Sequence, residues 1–254
     1  KIVEHTYYAQ YDGKNYWLTY PQDMYAGDWP IKESEYFRVH LHPDVVQFTN
    51  NIMFEEADRF VVQMGDSLGL SSYDMRHLQS TKIDFYYCAS DEQVAQITGQ
   101  LTRGVFDKAS SDIISSFFPH HHEVVHLLVD YRLRTLPLFV HPLFEEGLAV
   151  YYGGRWGKST ESLMPLGIYL YNEGLVSLDP LLRYTSFKNN AESELAYPLA
   201  ALFNRFMLEK IGKEKYFAIY RKMSGSYQDL SVLPVDSVKN RICRAMSFSD
   251  WDKL

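Results

Sequence analysis

The sequence predicts an α+β fold, with strands gathered in the first half of the chain and helices in the second. The chain has 254 residues, of which 46% are hydrophobic and 22% charged, as is typical of a globular protein that buries a core. Residues 82–88 alternate apolar and polar side chains, as a β-strand does. Residues 44–68 instead repeat apolar side chains at the spacing of an amphipathic helix.

The first elements follow from local composition. Residues 1–42 combine aromatic residues with Gly, Pro and Asp, and we expect short strands and turns there. The long helix is predicted from Asp44 to Leu68, with acidic side chains on its polar face. Gly69 lies near its end, where a left-handed residue is often needed to stop a helix.

A short helix and two strands are predicted next. Ser90 and Gln93 fit a capping box, in which each side chain bonds the backbone at the start of a helix. We expect this helix to stop before Gly99. Two short strands are predicted near residues 103–107 and 111–117.

The remainder of the chain has a helical pattern. Pro119 and Pro142 are each predicted in the first turn of a helix, where proline loses no needed hydrogen bond. The helix from Pro142 is expected to close at the glycine pair 153–154. Pro198 is predicted to open another helix, and residues 213–223 to form one more.

We expect one domain over residues 1–254, with a strand-rich lobe containing one long helix at 1–118 and a helical lobe at 119–254. No run of 18 apolar residues occurs, so no membrane-spanning helix is predicted. Cys88 and Cys243 are interpreted as buried free thiols. The chain begins without a leader, which we interpret as trimming and which favours a secreted, periplasmic or surface-anchored location.

Charge and aromatic content limit the choice of partner. The net charge is −7 and no basic cluster occurs, which argues against nucleic acid. Nothing in the sequence indicates an oligomer, so a monomer is favoured. The chain holds 20 tyrosines, and six fall within the first 25 residues. Cross-strand aromatic packing explains these six, with a substrate or glycan platform as the alternative. They are Tyr7, Tyr8, Tyr11, Tyr16, Tyr20 and Tyr25.

One motif points to chemistry. Residues 122–126 read His-Glu-Val-Val-His, which is the H-E-x-x-H pattern of zinc peptidases. On a helix, His122 and His126 lie on one face, so both imidazoles can reach one metal ion. Glu123 lies about 100° round the axis from His122, where it can contact a water bound to that metal. In addition to the two histidines, a catalytic zinc site needs a third protein ligand.

The third ligand is predicted to be Glu146, which lies 20 residues after His126 in the sequence Glu-Gly-Leu-Ala. A helix, a turn and a second helix can bring it back to the histidines, and we expect Gly147 to let these two helices pack closely. Here the sequence resembles the gluzincin metallopeptidases, the clan that includes thermolysin and aminopeptidase N. In that clan a Glu about 20 residues after the second His is the third zinc ligand, often within Glu-Gly-x-Ala.

The resemblance extends over residues 80–212. The segment from Tyr197-Pro198 resembles the aminopeptidase N segment whose tyrosine donates a hydrogen bond to the developing oxyanion, which implies that role for Tyr197. A packing tyrosine at a helix start is the alternative. The resemblance also implies a zincin-like fold, in which a small mixed-sheet lobe precedes a helical lobe and the active-site helix lies between them.

The sequence departs from the family in two places. The Gly-x-Met-Glu-Asn segment that grips a free amine in aminopeptidases is missing, which favours an endopeptidase. Val150 stands where thermolysin has the Asp that orients a zinc histidine. Asp130 or Glu145 is the candidate replacement, and a solvated carboxylate is the alternative for each.

The mechanism that the resemblance implies is zinc-dependent hydrolysis of a peptide or protein substrate, with Zn²⁺ on His122, His126 and Glu146. Glu123 would act as general base and Tyr197 would stabilise the oxyanion. An edge strand near Arg103–Asp107 would pair with the substrate backbone. Two alternatives stay open: an inactive zincin-fold binding module, and a zinc hydrolase that does not cleave peptides.

The remaining histidines are given ordinary roles. His120 and His121 are expected to face solvent beside the motif. His40 and His42 would share one face of a strand and could bind a metal, but we see no carboxylate in matching register. His141 is expected to be a loop residue before Pro142, with a helix-entry or ligand-orienting role as the alternative.

Overall fold

The computed structural model describes residues 7–134, 139–155, 157–189 and 193–251. Within them the fold is α+β, as predicted. The chain forms two compact units. One comprises the residues up to Asp66 together with Leu70–Glu123, and the other comprises Ser67–Gly69 and the residues from Val124 onwards.

The first unit contains a hairpin and a five-stranded mixed sheet. The strands are β1 (Tyr8–Tyr11), β2 (Tyr16–Thr19), β3 (Ile31–Glu33), β4 (Phe37–Leu41), β5 (Ile83–Tyr87), β6 (Gly104–Asp107) and β7 (Asp112–Ser115). Strands β1 and β2 pair as the hairpin. The sheet has the order β3-β4-β5-β7-β6. Its three central strands run parallel, and the outer strands β3 and β6 run antiparallel to their neighbours. Strand β6 is therefore an edge strand of this sheet, as the family resemblance implied for residues 103–107.

Helices also occur in the first unit and make up most of the second. In chain order they are α1 (Pro21–Ala26), α2 (Asn51–Leu68), α3 (Ser72–Thr81), α4 (Asp91–Thr98), α5 (His121–Leu133), α6 (Pro142–Gly153), α7 (Thr160–Asn172), α8 (Leu178–Leu181), α9 (Tyr184–Asn189), α10 (Ser193–Ile211), α11 (Lys213–Lys222), α12 (Tyr227–Ser231) and α13 (Val235–Met246). Two short strands, β8 (Phe139–Val140) and β9 (Ser224–Gly225), pair antiparallel. None of the described helices is long and apolar enough to cross a bilayer.

The aromatic core of the first unit fixes the point at which α5 begins. The ring of Phe118 lies 5.7 Å from that of Phe37 and 5.0 Å from those of Phe54 and Phe85. All four side chains are buried. Large aromatic side chains contribute heavily to core stability. The residue three positions before His121 is therefore anchored against the sheet and α2.

The predicted helix from Asp44 is shorter than expected. Residues 43–48 form a 3₁₀ helix, Thr49 is extended, and α2 begins only at Asn51. The side chain of Asn50 accepts a hydrogen bond from the N–H of Met53 at 3.2 Å, as an N-cap does. Apolar periodicity continues through such a break, because the 3₁₀ segment also turns one face inward. The end was predicted correctly, since Gly69 has φ +74°.

Three other element predictions are confirmed. Residues 83–87 form β5, and α4 stops at Gly99, which has φ +74°. The Ser90 side chain accepts from the N–H of Gln93, while the Gln93 side chain accepts from the N–H of Ala89 rather than Ser90. Helix α6 begins at Pro142 as predicted.

Two proline predictions are wrong. Helix α5 begins at His121, two residues after Pro119. Helix α10 begins at Ser193, so that Pro198 lies inside it and not at its start. A proline is tolerated near a helix start because the lost N–H there belongs to the first turns. The same tolerance makes the position of a helix start uncertain by several residues when it is read from proline alone.

The hairpin carries part of the tyrosine excess. Tyr11 and Tyr16 pair across β1 and β2 with ring centroids 4.8 Å apart, as expected for cross-strand packing. Tyr8 meets Tyr25 of α1 edge-on at 6.0 Å. Both cysteines are buried free thiols, as predicted.

Candidate metal centre

Helix α5 carries both histidines of the motif. His122 is only 4% exposed, and the side chain of His126 is 12% exposed. Between and beside them, Val124, Val125 and Leu128 are buried, and none of the residues of the helix is fully exposed. A helix enclosed in this way exposes few side chains. The two imidazoles are thus held inside the protein on a well-packed element.

Glu146 comes from α6, whose start is fixed by His141. This imidazole is fully buried, and its Nδ1 accepts a hydrogen bond from the N–H of Leu143 at 3.3 Å. Its Nε2 lies 3.1 Å from the carbonyl of Leu182. Burial lowers the pKa of His141 to about 4, so the ring is neutral at pH 7, with Nε2 as the donor. The helix-entry alternative for His141 is therefore correct, and the loop role is wrong.

Gly147, the residue after Glu146, lies where α6 packs closely against α10. A Cβ atom on Gly147 would lie 2.1 Å from Nδ2 of Asn204 and 2.6 Å from the carbonyl oxygen of Ala200. Only glycine permits this approach. We expected Gly147 to face the first motif helix, and this prediction is wrong. Its role in close packing is correct, but the partner is α10.

A buried polar side chain secures this helix pair. Asn204 is inaccessible to solvent, and its Nδ2 donates to the carbonyls of Leu143 at 2.6 Å and Ala200 at 2.7 Å. Its Oδ1 accepts from the hydroxyl of Tyr216 on α11. Asn204 therefore links three helices within the second unit, one of which carries the predicted ligand. A fully bonded buried amide of this kind favours one arrangement of its neighbours.

The three predicted ligands come together. Ligand atoms of His122, His126 and Glu146 all lie within 4.8 Å of one another. The described residues contain no other group of three His, Cys, Asp or Glu side chains of this kind. His126 Nε2 and Glu146 Oε2 are 3.8 Å apart. Two ligands of one tetrahedral zinc ion, each bound at about 2.1 Å, lie roughly 3.4 Å apart.

The chemistry of this ligand set fits zinc. Two imidazoles and one carboxylate make up the His₂Glu set of catalytic zinc sites, which leaves the fourth position open. The ligand side chains are at most 17% exposed, so the centre is sheltered but reachable. A small rotation of the side chains would bring the measured separations to those of bound zinc.

Glu123 is held by the edge strand. Its Oε2 accepts a hydrogen bond from the main-chain N–H of Phe106 at 2.9 Å. Its side chain is 12% exposed. Phe106 lies in β6, whose other side pairs with β7. The carboxylate next to the first predicted ligand thus contacts the sheet edge directly.

His120 and His121 do not face solvent, contrary to expectation. His120 has a 12% exposed side chain and packs against Phe117 with ring centroids 4.0 Å apart. His121 stacks on Phe60 at 4.1 Å, and burial lowers its pKa. A run of histidines favours solvent exposure, but Phe60, which covers His121, lies far away in the sequence. For His120, only Phe117, three residues earlier, gave a local signal.

Tyr197 lies in α10, within the first turns rather than at the helix start. Its half-buried ring meets Phe187 edge-on at 5.1 Å. The guanidinium carbon of Arg155 lies 3.4 Å from the ring centroid, which is a cation–π distance. These contacts hold the ring, and its predicted role toward an oxyanion stays a prediction.

Tyr220 is a residue that sequence reasoning missed. It is buried, and burial raises the pKa of its phenol, with a further rise from the negative charges of Glu145, Asp130 and Glu146. The two candidate orienting carboxylates and the predicted ligand therefore all act on one buried hydroxyl. The apolar periodicity of α11 concealed this position, because a tyrosine there is expected simply to pack.

The possible metal pair His40 and His42 has other partners. His40 Nε2 lies 3.0 Å from Asp84 of the adjacent strand, and the ring stacks on Tyr86 at 4.4 Å. The expectation of no carboxylate in register is therefore wrong, because β5 supplies one. His42 Nε2 lies 2.7 Å from the side-chain amide of Gln93. The pair forms no metal cluster among the described residues.

Comparison of the chain with protein-family models, curated protein sequences and solved structures gives no match. The residues of the candidate centre and their geometry are therefore the basis for inferring a function.

Proposed function

We propose that this chain is a zinc-dependent peptidase of the gluzincin type. The observation that carries the proposal is the group of His122, His126 and Glu146, with Glu123 between the two histidines in sequence. The resemblance of the motif to gluzincins predicts these same residues from the sequence alone. The resemblance requires His122, His126 and Glu146 to lie close together, and their ligand atoms lie within 4.8 Å of one another.

The finer description of the fold is part of this proposal. A mixed sheet whose edge strand runs antiparallel, followed by a helix with the H-E-x-x-H motif, supports a zincin-like arrangement. The hydrogen bond from Phe106 to Glu123 also supports it, since gluzincin-like enzymes have an edge strand at the substrate cleft.

In the proposed mechanism, His122, His126 and Glu146 hold the metal. When bound, zinc supplies a Lewis acid and lowers the pKa of a coordinated water to about 7. Glu123 accepts a proton from the attacking water and later delivers it to the leaving amine. Tyr197 donates a hydrogen bond to the oxyanion.

The substrate is proposed to be an extended polypeptide. Strand β6 has one edge paired with β7 and one edge directed to Glu123. An extended chain can add to such an edge through main-chain hydrogen bonds. The absence of the amine-gripping segment favours cleavage within a chain over removal of its first residue.

The test combines metal analysis with a peptide-library digest read by mass spectrometry. We expect about one zinc per chain from the single three-ligand site and cleavage that a chelator abolishes. Glu123→Gln should retain zinc and lower kcat by roughly 10²–10⁴-fold, which is the contribution of a general base. Glu55→Gln, on an exposed position of α2, is the matched control and should cleave as the unsubstituted protein does.

The outcomes distinguish a zinc peptidase from an inactive binding module and from a different zinc hydrolase. A Glu123→Gln protein that binds zinc and cleaves at the original rate contradicts the mechanism. Zinc binding without cleavage of any library member favours the inactive binding module. Hydrolysis of small esters or amides but not of peptides favours a different zinc hydrolase.

A further inference from the structure

His120 is seated in a socket formed by Gly104, Ser115 and Phe117. Its Nδ1 lies 2.9 Å from Oγ of Ser115, and its ring packs against that of Phe117 at an interplanar angle of 37°. A Cβ atom on Gly104 would lie 2.1 Å from this same Nδ1, so the ring occupies the space that a side chain at residue 104 would need. Such a fit on three sides fixes the ring plane and leaves little rotational freedom.

The second ring nitrogen is directed at the candidate general base. Nε2 of His120 lies 3.9 Å from Oε1 of Glu123, one helical turn further on. The other carboxylate oxygen, Oε2, accepts from the N–H of Phe106 at 2.9 Å. The carboxylate therefore lies between a main-chain donor and an imidazole nitrogen.

The hydroxyl of Ser115 has two acceptors within reach, the carbonyl of Arg103 and Nδ1 of His120. This hydroxyl has one hydrogen and lies 2.8 Å from the carbonyl of Arg103 as well as 2.9 Å from His120 Nδ1. The Arg103 carbonyl also accepts from the N–H of Ser116 at 2.9 Å. It therefore stays bonded when Ser115 donates to Nδ1. Neutral imidazole then has its hydrogen on Nε2, facing Glu123.

We propose that His120 is a positioning residue for Glu123, held by Ser115 as the Nε2–H tautomer and donating from Nε2 to Oε1. This inference rests on the proposed function, because it assigns Glu123 the role of base. The 3.9 Å separation is longer than a hydrogen bond and closes by a small rotation of the carboxylate. Hydrogen bonds of catalytic groups commonly tighten in this way when substrate binds. With both oxygens bonded to N–H groups, Glu123 keeps one orientation toward the attacking water.

Two amide substitutions separate positioning from simple packing. His120→Gln places an amide N–H near the position of Nε2, whereas His120→Asn places its amide near Nδ1 only. We expect the Gln variant to stay within about threefold of the original kcat, because it keeps a donor for Glu123. The Asn variant should lose on the order of tenfold to hundredfold in kcat with KM nearly unchanged. His77→Gln, on the exposed face of α3, is the control for histidine loss.

The tautomer is measured independently of activity. In the zinc-loaded protein labelled with ¹⁵N-histidine, the ring nitrogen shifts of His120 are assigned by their loss in His120→Gln. We expect the Nε2–H form in the original protein and a shift toward the Nδ1–H form in Ser115→Ala. An Nδ1–H form in the original protein would overturn the inference.

The kcat values of the two amide variants also test the positioning role of His120. A His120→Asn variant with the original kcat would overturn the positioning role, and so would an equal loss in both amide variants. A protein that binds zinc and cleaves no peptide contradicts the proposed function, while the tautomer measurement still tests the inference. The two failures can therefore be distinguished.

Discussion

Glu123 and Glu146 belong to the same candidate centre but are supported by different kinds of contact. Glu146 is followed by Gly147, where α6 approaches the backbone of α10 more closely than any side chain allows. Glu123 instead relies on a hydrogen bond of 2.9 Å from the edge-strand N–H of Phe106. One carboxylate is held through the packing of its helix, and the other through polar contacts with its own oxygens.

This difference matches the tasks proposed for the two groups. A metal ligand must stay in place, and close-packed interiors resist displacement because every shift disturbs many neighbours. A general base must exchange protons and hydrogen-bond partners, which a polar contact at a sheet edge permits. We therefore expect changes around Glu146 to affect stability and metal affinity, and changes around Glu123 to affect turnover.

The largest effect is expected from Gly147→Ala. The added Cβ would lie 2.6 Å from the carbonyl oxygen of Ala200, so α6 and α10 must separate. We expect a loss of about 4 kcal/mol in the free energy of unfolding, at the upper end for overpacking, together with weaker zinc binding. Urea unfolding and zinc titration measure the two effects.

Gly225→Ala is the matched control in the second unit. A Cβ there meets only the Cβ of Asp229, at an ordinary 4.0 Å. We expect a change within about 0.5 kcal/mol. If Gly147→Ala were equally mild, the helix pair would be able to adjust, and the contrast between the two carboxylates would fail.

The next effect concerns the buried pair Asn204 and Tyr216. Asn204→Leu should cost about 3 kcal/mol, because the buried Tyr216 hydroxyl loses the oxygen to which it donates. Tyr216→Phe should cost about 2 kcal/mol for the converse reason. The double variant should cost clearly less than the sum, since the Tyr216 hydroxyl and the Asn204 oxygen are then both absent and neither is left without the other. Additive losses in urea unfolding would contradict a direct link between the two side chains.

Most local structure near the centre was predictable from sequence. The motif spacing predicts the shared helix face of His122 and His126, and Pro142 predicts the start of α6 correctly. Both signals act within a few residues along the chain. Glu146 required more, because its approach to the histidines depends on a helix–turn–helix path, and the family resemblance supplied it.

The wrong predictions concern residues whose surroundings are formed by other parts of the chain. The partner of Gly147 lies more than 50 positions later on α10, which no periodicity reveals. His120 lies against Gly104 of β6 and Ser115 of β7, and His121 stacks on Phe60 of α2, although their neighbours in sequence are histidines. His40 meets Asp84 because β4 and β5 are adjacent in the sheet. In each case tertiary pairing overrode the local pattern.

A smaller, pH-dependent effect is expected from His141, which supports the start of α6. Its pKa of about 4 in the folded protein lies below the ordinary value of 6.5. Its stabilising contribution is therefore complete above pH 6.5 and is lost as the pH falls toward 4, because the unfolded chain then takes up the proton. Between pH 7 and 4.5 this loss amounts to about 2 kcal/mol.

His141→Asn isolates this effect. Asn does not titrate, and its side-chain oxygen can still accept from the N–H of Leu143 as an N-cap. The fall in unfolding free energy between pH 7 and 4.5 should be about 2 kcal/mol smaller than in the original protein. Burial raises the pKa of Asp112 to about 6, which acts in the opposite direction, but this contribution is common to both proteins and cancels. An unchanged fall would place the titrating group elsewhere.

The smallest effect tests the support of Glu123. Replacing Phe106 by its α-hydroxy acid converts one amide to an ester and removes only the N–H that donates to Oε2. We expect kcat to fall about tenfold, because one hydrogen bond from a main-chain N–H to a carboxylate contributes roughly 1.5 kcal/mol or more. Zinc affinity and the urea midpoint should stay nearly constant, in contrast to Gly147→Ala. In a Glu123→Gln background the ester should cause no further loss, since the base that the N–H orients is already absent. A similar loss in both backgrounds would mean that the Phe106 N–H serves the strand or the substrate rather than Glu123.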